Sequence, residues 1–109
     1  MTSAIRRSRA TRHIWIVSDA TGMTAERVLR ATLAQFPDVK VVLEVAAEVR
    51  RTEQIAAIVA QARRRRGLIA YTLVDAALRD ALAARANEAG VTTVDLIGPL
   101  VNALSGFLS

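Results

Sequence analysis

With 109 residues, 15 basic against 10 acidic side chains and no cysteine, the chain is sized for one domain with its own core. It excludes disulfides, thiolate nucleophiles and cysteine-ligated zinc. At 52% hydrophobic residues it is too apolar for disorder, yet it holds no apolar run of the roughly 18 residues that a membrane span requires. The formal net charge of +5 is uneven. Arg6, Arg7, Arg9 and Arg12 put four positive charges and no acid on residues 1 to 12, so 11 of the 15 basic residues face all 10 acidic ones over the rest. Residues 1–12 read as a flexible basic leader, too short and too polar for a secretory signal. Residues 13–109 read as a single domain. Its near-neutral body argues against a nucleic-acid interface, which draws its affinity from clustered cations, and a cytoplasmic protein is expected.

Taken in chain order, short β-rich runs alternate with longer helical ones. His13 to Val17 is a nearly continuous apolar run of the kind that a strand buried on both faces shows. Thr24 to Phe36 then spaces Val28, Leu29, Leu33 and Phe36 as one helix face, and Pro37 stops it. Val39 to Val45 predicts the second strand. Thr52, followed by Glu53, Gln54 and then Ile55, Ile58 and Val59, predicts an N-capped helix that ends before Gly67. Leu68 to Val74 is the third strand. Asp75 is a suitable N-cap for a helix that carries Leu78 and Leu82 and closes at Gly90. Val91 to Ile97 is the fourth strand, and Gly98-Pro99 opens a last short helix through Val101, Leu104 and Leu108. Strands that alternate with helices of about ten to fifteen residues are successive βαβ units. The expected fold is an open α/β domain with a mainly parallel sheet of about four strands. Its strand order is left undetermined by the sequence.

In such sheets ligands bind beyond the carboxyl ends of the strands, so the strand-to-helix loops are where chemistry is sought. The first loop, Ser18-Asp19-Ala20-Thr21-Gly22-Met23-Thr24, offers three hydroxyls, a carboxylate and a glycine ahead of a helix whose free N–H groups favour an anion. Ser18, Thr21, Gly22 and Thr24 are therefore phosphate-binding candidates. Asp19 is a candidate for hydroxyl activation or cation coordination. The plainer reading has Thr21 or Thr24 cap the helix while Asp19 compensates its dipole. Asp75, also between a strand and a helix, is a second candidate on the same side. No metal site is expected.

The chain contains neither the dinucleotide fingerprint nor a Walker-type phosphate loop. Its one lysine, Lys40, precedes Val41 inside a strand pattern, which rules out an autonomous phosphotransferase of the Walker type. Other residues have plain roles. His13, the only histidine, sits at the amino end of the first strand, away from the ligand side, and is expected to be structural. Arg63 to Arg66 close a helix, where cations suit the dipole. Asp75 and Arg79 have the spacing of an ion pair. Trp15 and Tyr71 are expected as strand residues.

The run from His13 through Ile-Trp-Ile-Val-Ser-Asp-Ala-Thr-Gly-Met-Thr-Ala-Glu to Arg27 resembles the start of the bacterial regulatory proteins of phosphoenolpyruvate synthetase and of pyruvate, phosphate dikinase. The stretches from Tyr71 through Thr-Leu-Val-Asp-Ala-Ala-Leu to Arg79 and from Val94 through Asp-Leu-Ile-Gly-Pro to Leu100 agree with it in collinear order. The resemblance implies a bifunctional serine/threonine phosphotransferase. Such a protein uses ADP to phosphorylate a threonine of the target enzyme and removes that phosphate by attack of inorganic phosphate, releasing pyrophosphate. It also implies that this chain corresponds to the N-terminal domain alone, without the glycine-rich loop ending in Lys-Thr. It is then inactive by itself and binds no cofactor alone, with the synthetase or the dikinase as partner. The alternative is a non-catalytic phosphate- or nucleotide-binding module built on the Ser18 to Thr24 loop. A less favoured third reading is nucleic-acid binding through the leader and Arg63 to Arg66.

Overall fold

The computed structural model describes residues 11–109. Strands and helices alternate as β1 (Arg12–Ser18), α1 (Met23–Leu33), β2 (Val41–Ala46), α2 (Thr52–Arg64), β3 (Leu68–Thr72), α3 (Ala76–Ala89), β4 (Thr93–Asp95) and α4 (Gly98–Leu108). The four strands form one sheet in the order β2-β1-β3-β4, parallel throughout. This is the open α/β architecture expected. Most of the proposed leader, residues 1–10, lies outside the described residues, while Arg12 already belongs to β1 and pairs with Val41.

The register explains why the central strands are apolar throughout. Trp15 lies opposite Glu44 and Ile69, and Val17 opposite Ala46 and Tyr71; Ile16, one residue between, lies opposite Val45 and Ala70. Side chains alternate across a strand, so Trp15, Val17, Ile69 and Tyr71 share one face. There they join Ile55, Ile58, Val59 and Ala62 of α2 and Leu78, Leu82 and Ala86 of α3 in the main core. Ile16 and Ala70, also fully buried, face the other way, toward the start of α1, where Gly22 lies against Ile16 and Val45. With burial on both faces, β1 and β3 need no polar alternation.

Several boundaries depart from the sequence reading, each for a local reason. The first helix ends at Leu33 rather than Phe36 because the amides of Gln35 and Phe36 donate to the carbonyls of Thr32 and Leu33, a tightened turn ahead of Pro37. Val39 N–H is turned back to the Phe36 carbonyl, which delays β2 to Val41 and leaves Lys40 just before the strand. The third strand stops at Thr72 because Val74 N–H is used by a side chain instead of the ladder. The fourth is only Thr93–Asp95: the Asp95 carboxylate accepts from Ile97 N–H at 3.1 Å and Gly98 N–H at 2.7 Å and starts α4 at once. Thr52 is not the cap of α2. The helix start is instead closed by the Gln54 side-chain Oε1, which accepts from Arg50 and Arg51 N–H at 2.7 and 2.9 Å.

The helix α4 carries Leu100, Val101, Leu104, Phe107 and Leu108 on exposed positions. Among the described residues, no helix is long and apolar enough to cross a membrane.

Candidate functional site

Strand order creates the site. From the central β1 the chain moves to one side to make β2, then passes back across β1 to make β3. The loops after β1 and β3 therefore leave their strand ends in opposite directions. Right-handed crossovers put α2 and α3 on one face and α1 on the other, and a crevice opens between the two loops. A cleft of about 200 Å³ occupies that position. It is lined by Ser18, Asp19, Ala20, Thr21, Gly22, Met23 and Thr24 from the first loop, Thr72 and Val74 from the end of β3, and Ile97 from the β4–α4 turn. All the first-loop candidates are thus brought to one cleft.

The helix that points into it is uncapped. Gly22 precedes α1 with φ +81° and offers no side chain. The positive φ favours glycine, and a Cβ there would stand 2.9 Å from Val45 Cγ1. The first carbonyl bond of α1 runs from Glu26 N–H to Gly22 at 3.0 Å. Thr21 Oγ1 accepts from Met23 N–H at 3.3 Å, so Thr21 takes one of the four orphan donors that every helix start presents. The N–H groups of Thr24 and Ala25 are left without a partner among the described residues. Thr24 itself is exposed and caps nothing. At the floor, Ser18 is 2% exposed, and its hydroxyl accepts from Ala20 N–H at 3.0 Å.

Asp19 does not compensate the dipole of α1. Its Oδ2 accepts from Val74 N–H at 2.9 Å and Asp75 N–H at 3.2 Å, across the crevice. The carboxylate therefore ties the first loop to the third and sits before α3 instead. Asp75 is adjacent, as expected, and its side chain is committed to capping: Oδ1 accepts from Leu78 N–H at 3.1 Å. Among the described residues it forms no ion pair with Arg79. A third loop braces the first. Val49 N–H donates to Ser18 O, Glu48 N–H to Ala20 O, and the Arg50 guanidinium to Asp19 O while pairing with Glu48 at 2.9 Å. His13 lies toward the amino end of β1, its ring 5.9 Å from that of Trp15, remote from the cleft.

Residues 14–109 match the kinase/pyrophosphorylase family. The chain belongs to that family. Its relatives include proteins named pyruvate, phosphate dikinase regulatory protein. The one from Geobacter sulfurreducens is 40% identical over 99 residues, 91% of this chain and 37% of the relative. The one from Geobacter metallireducens is 43% identical over 96 residues, 88% and 36% respectively. The one from Desulfitobacterium hafniense is 40% identical over 92 residues, 84% and 34%. The chain thus spans little more than a third of the length of these curated relatives.

Thr72, Val74 and Ile97 were not singled out from the sequence. The only available signal was position, since each lies at or just beyond the carboxyl end of a strand of a parallel sheet. Which strand ends adjoin β1 depends on strand order.

Proposed function

We propose that this chain supplies the N-terminal part of a bifunctional regulator of pyruvate, phosphate dikinase or phosphoenolpyruvate synthetase. In the forward reaction the hydroxyl of a target threonine attacks the terminal phosphorus of ADP, the bond to AMP breaks, and the hydroxyl proton passes to a base. In the reverse, inorganic phosphate attacks phosphothreonine, releasing pyrophosphate and the free threonine. The observation that carries this reading is the family match over residues 14–109, with relatives named for the dikinase.

Within that function the Ser18 to Thr24 loop binds a phosphate group through the hydroxyls of Ser18, Thr21 and Thr24 and the amides that follow Gly22. The cleft, at about 200 Å³, is below the ~300 to 1,000 Å³ usual for a whole small-molecule ligand, and suits a phosphate better than a nucleotide. Asp19, accepting from the Val74 and Asp75 amides, ties the two facing loops together. No glycine-rich loop ending in Lys-Thr occurs in the 109 residues, whose one lysine is Lys40, so ADP is held by protein outside them and this polypeptide alone does not catalyse transfer. The test is to assay ADP-dependent phosphorylation of the dikinase and of the synthetase with this chain, with the remaining portion of the Geobacter sulfurreducens relative, and with both together. Transfer by the pair and by neither part is expected; transfer by this chain alone overturns the division of labour.

A further inference from the structure

The two edges of the sheet differ. β4 is only three residues long, a shortness that discourages pairing with another chain. β2 has no such protection. It runs for six residues, Val41-Val-Leu-Glu-Val-Ala46, without proline or lysine and with one charge, and β1 is its sole neighbour in the sheet. Arg12 lies in register with Val41, and its N–H donates to the Lys40 carbonyl at 2.9 Å. In a parallel ladder that phase turns the backbone groups of Val42, Glu44 and Ala46 toward β1. Val41, Leu43 and Val45 therefore aim their N–H and C=O groups outward, and none of these has a partner among the described residues.

The strand that matches this edge best is β2 itself. Antiparallel pairing about a two-fold axis at Leu43 sets Leu43 opposite the second copy's Leu43 and Val41 opposite the second copy's Val45. Facing residues in hydrogen-bonded positions exchange both bonds, so this one register satisfies every outward group, and a slip by two residues carries Val41 or Val45 past the end of the facing strand. The side chains agree with it. On one face the second copy's Val45, 44% exposed in the single chain, comes beside a hollow of about 320 Å³ lined by Leu33, Phe36, Val39 and Val41. On the other face Val42, 39% exposed, comes opposite the second copy's Glu44. Glu44 shares a hollow with Arg64 and Arg65, both exposed and in no ion pair among the described residues. Guanidinium groups from both copies thus flank the two carboxylates that pairing draws together. We infer that this chain forms a two-fold symmetric dimer through antiparallel pairing of β2 with β2 of a second copy, so that one continuous sheet runs through both. The contact lies along the free edge of the sheet, apart from the cleft, and does not depend on the proposed activity.

Sedimentation velocity on the full chain, from about 10 μM to about 1 mM, is expected to show a monomer–dimer equilibrium. Val42→Glu sets a like charge directly opposite Glu44 at both symmetric positions and weakens the dimer about tenfold, whereas Val42→Lys sets the opposite charge there and leaves it as tight or tighter. The position is exposed, so neither variant disturbs the core. The chain has no cysteine, and single cysteines therefore report the register without background. Leu43→Cys joins two copies by a disulfide on mild oxidation, since facing Cα atoms of a hydrogen-bonded antiparallel pair stand about 5.5 Å apart. Val45→Cys does not, because its counterpart lies about 13 Å further along the strand. A monomer across the whole range overturns the proposal. So does a dimer that Val42→Glu leaves intact, or one that Val45→Cys cross-links in preference to Leu43→Cys; either result places the contact elsewhere, on the exposed face of α4 for instance. If Leu43→Cys fails to fold by circular dichroism, the two Val42 variants decide the matter alone.

Discussion

Gly98 has no room for a side chain: a Cβ there would overlap the Asp95 carboxylate, whose Oδ1 accepts from the amides of both Ile97 and Gly98. The Asp-Leu-Ile-Gly-Pro stretch is thus a helix start in which the acid satisfies orphan donors, the glycine lets it approach, and Pro99 occupies a first-turn position that needs no N–H. Gly98→Ala and Asp95→Ala disable the same contact. Each is expected to cost about 1 to 2 kcal/mol in urea unfolding, and the double variant about as much as either single one. Full additivity would show that the two residues act independently. The same close reading reverses the first impression of Asp19. From the sequence it belongs with the helix four residues on, but it bonds to amides 55 and 56 positions away, a partnership without a sequence signal.

At the scale of elements, the order and type of every strand and helix were legible from periodicity and breakers, because β1 and β3 are buried on both faces and α2 and α3 present apolar stripes to one core. Ends were less legible, since a strand or helix stops where a particular hydrogen bond goes elsewhere. The start of α2 shows this. Thr52 has the residue type of a cap, yet its hydroxyl points to Glu53 at 3.4 Å while Gln54 accepts from two backbone amides. Gln54→Ala is therefore expected to lower stability by about 1 kcal/mol and Thr52→Ala by less than about 0.5. Thermal unfolding of the two variants side by side checks the assignment; the opposite ranking would restore Thr52 as the cap.

For the molecule as a whole, one packed phenol links stability to alkaline pH. Burial pushes the Tyr71 hydroxyl above its ordinary pKa, its register partner Asp95 pushes it further, and Arg79 partly opposes them. The folded state therefore holds the phenolic proton more tightly than the unfolded chain does. The stabilisation is complete below the unfolded value of about 10 and is lost as the pH rises through the folded one. With a single tyrosine and a single lysine in the chain, few side chains titrate in that window. Unfolding free energy measured by urea is expected to fall more steeply above pH 10 in the wild type than in Tyr71→Phe. Identical slopes would remove Tyr71 as the cause.

Periodicity, turn residues and composition by themselves determined that this is an alternating α/β domain and pointed to the Ser18 to Thr24 loop as a candidate site. Such features depend on neighbours along the chain and on which face each residue can bury. Strand order, and with it the meeting of that loop with Thr72, Val74 and Ile97, was decided only in three dimensions, because the pairing of parallel strands is a contest between distant segments that share the same apolar pattern. The register set Thr72 beside Ser18, and the reversal at β1 opened the crevice between them. An otherwise unremarked threonine thereby came to line the cleft, and Asp19 became the tie across it.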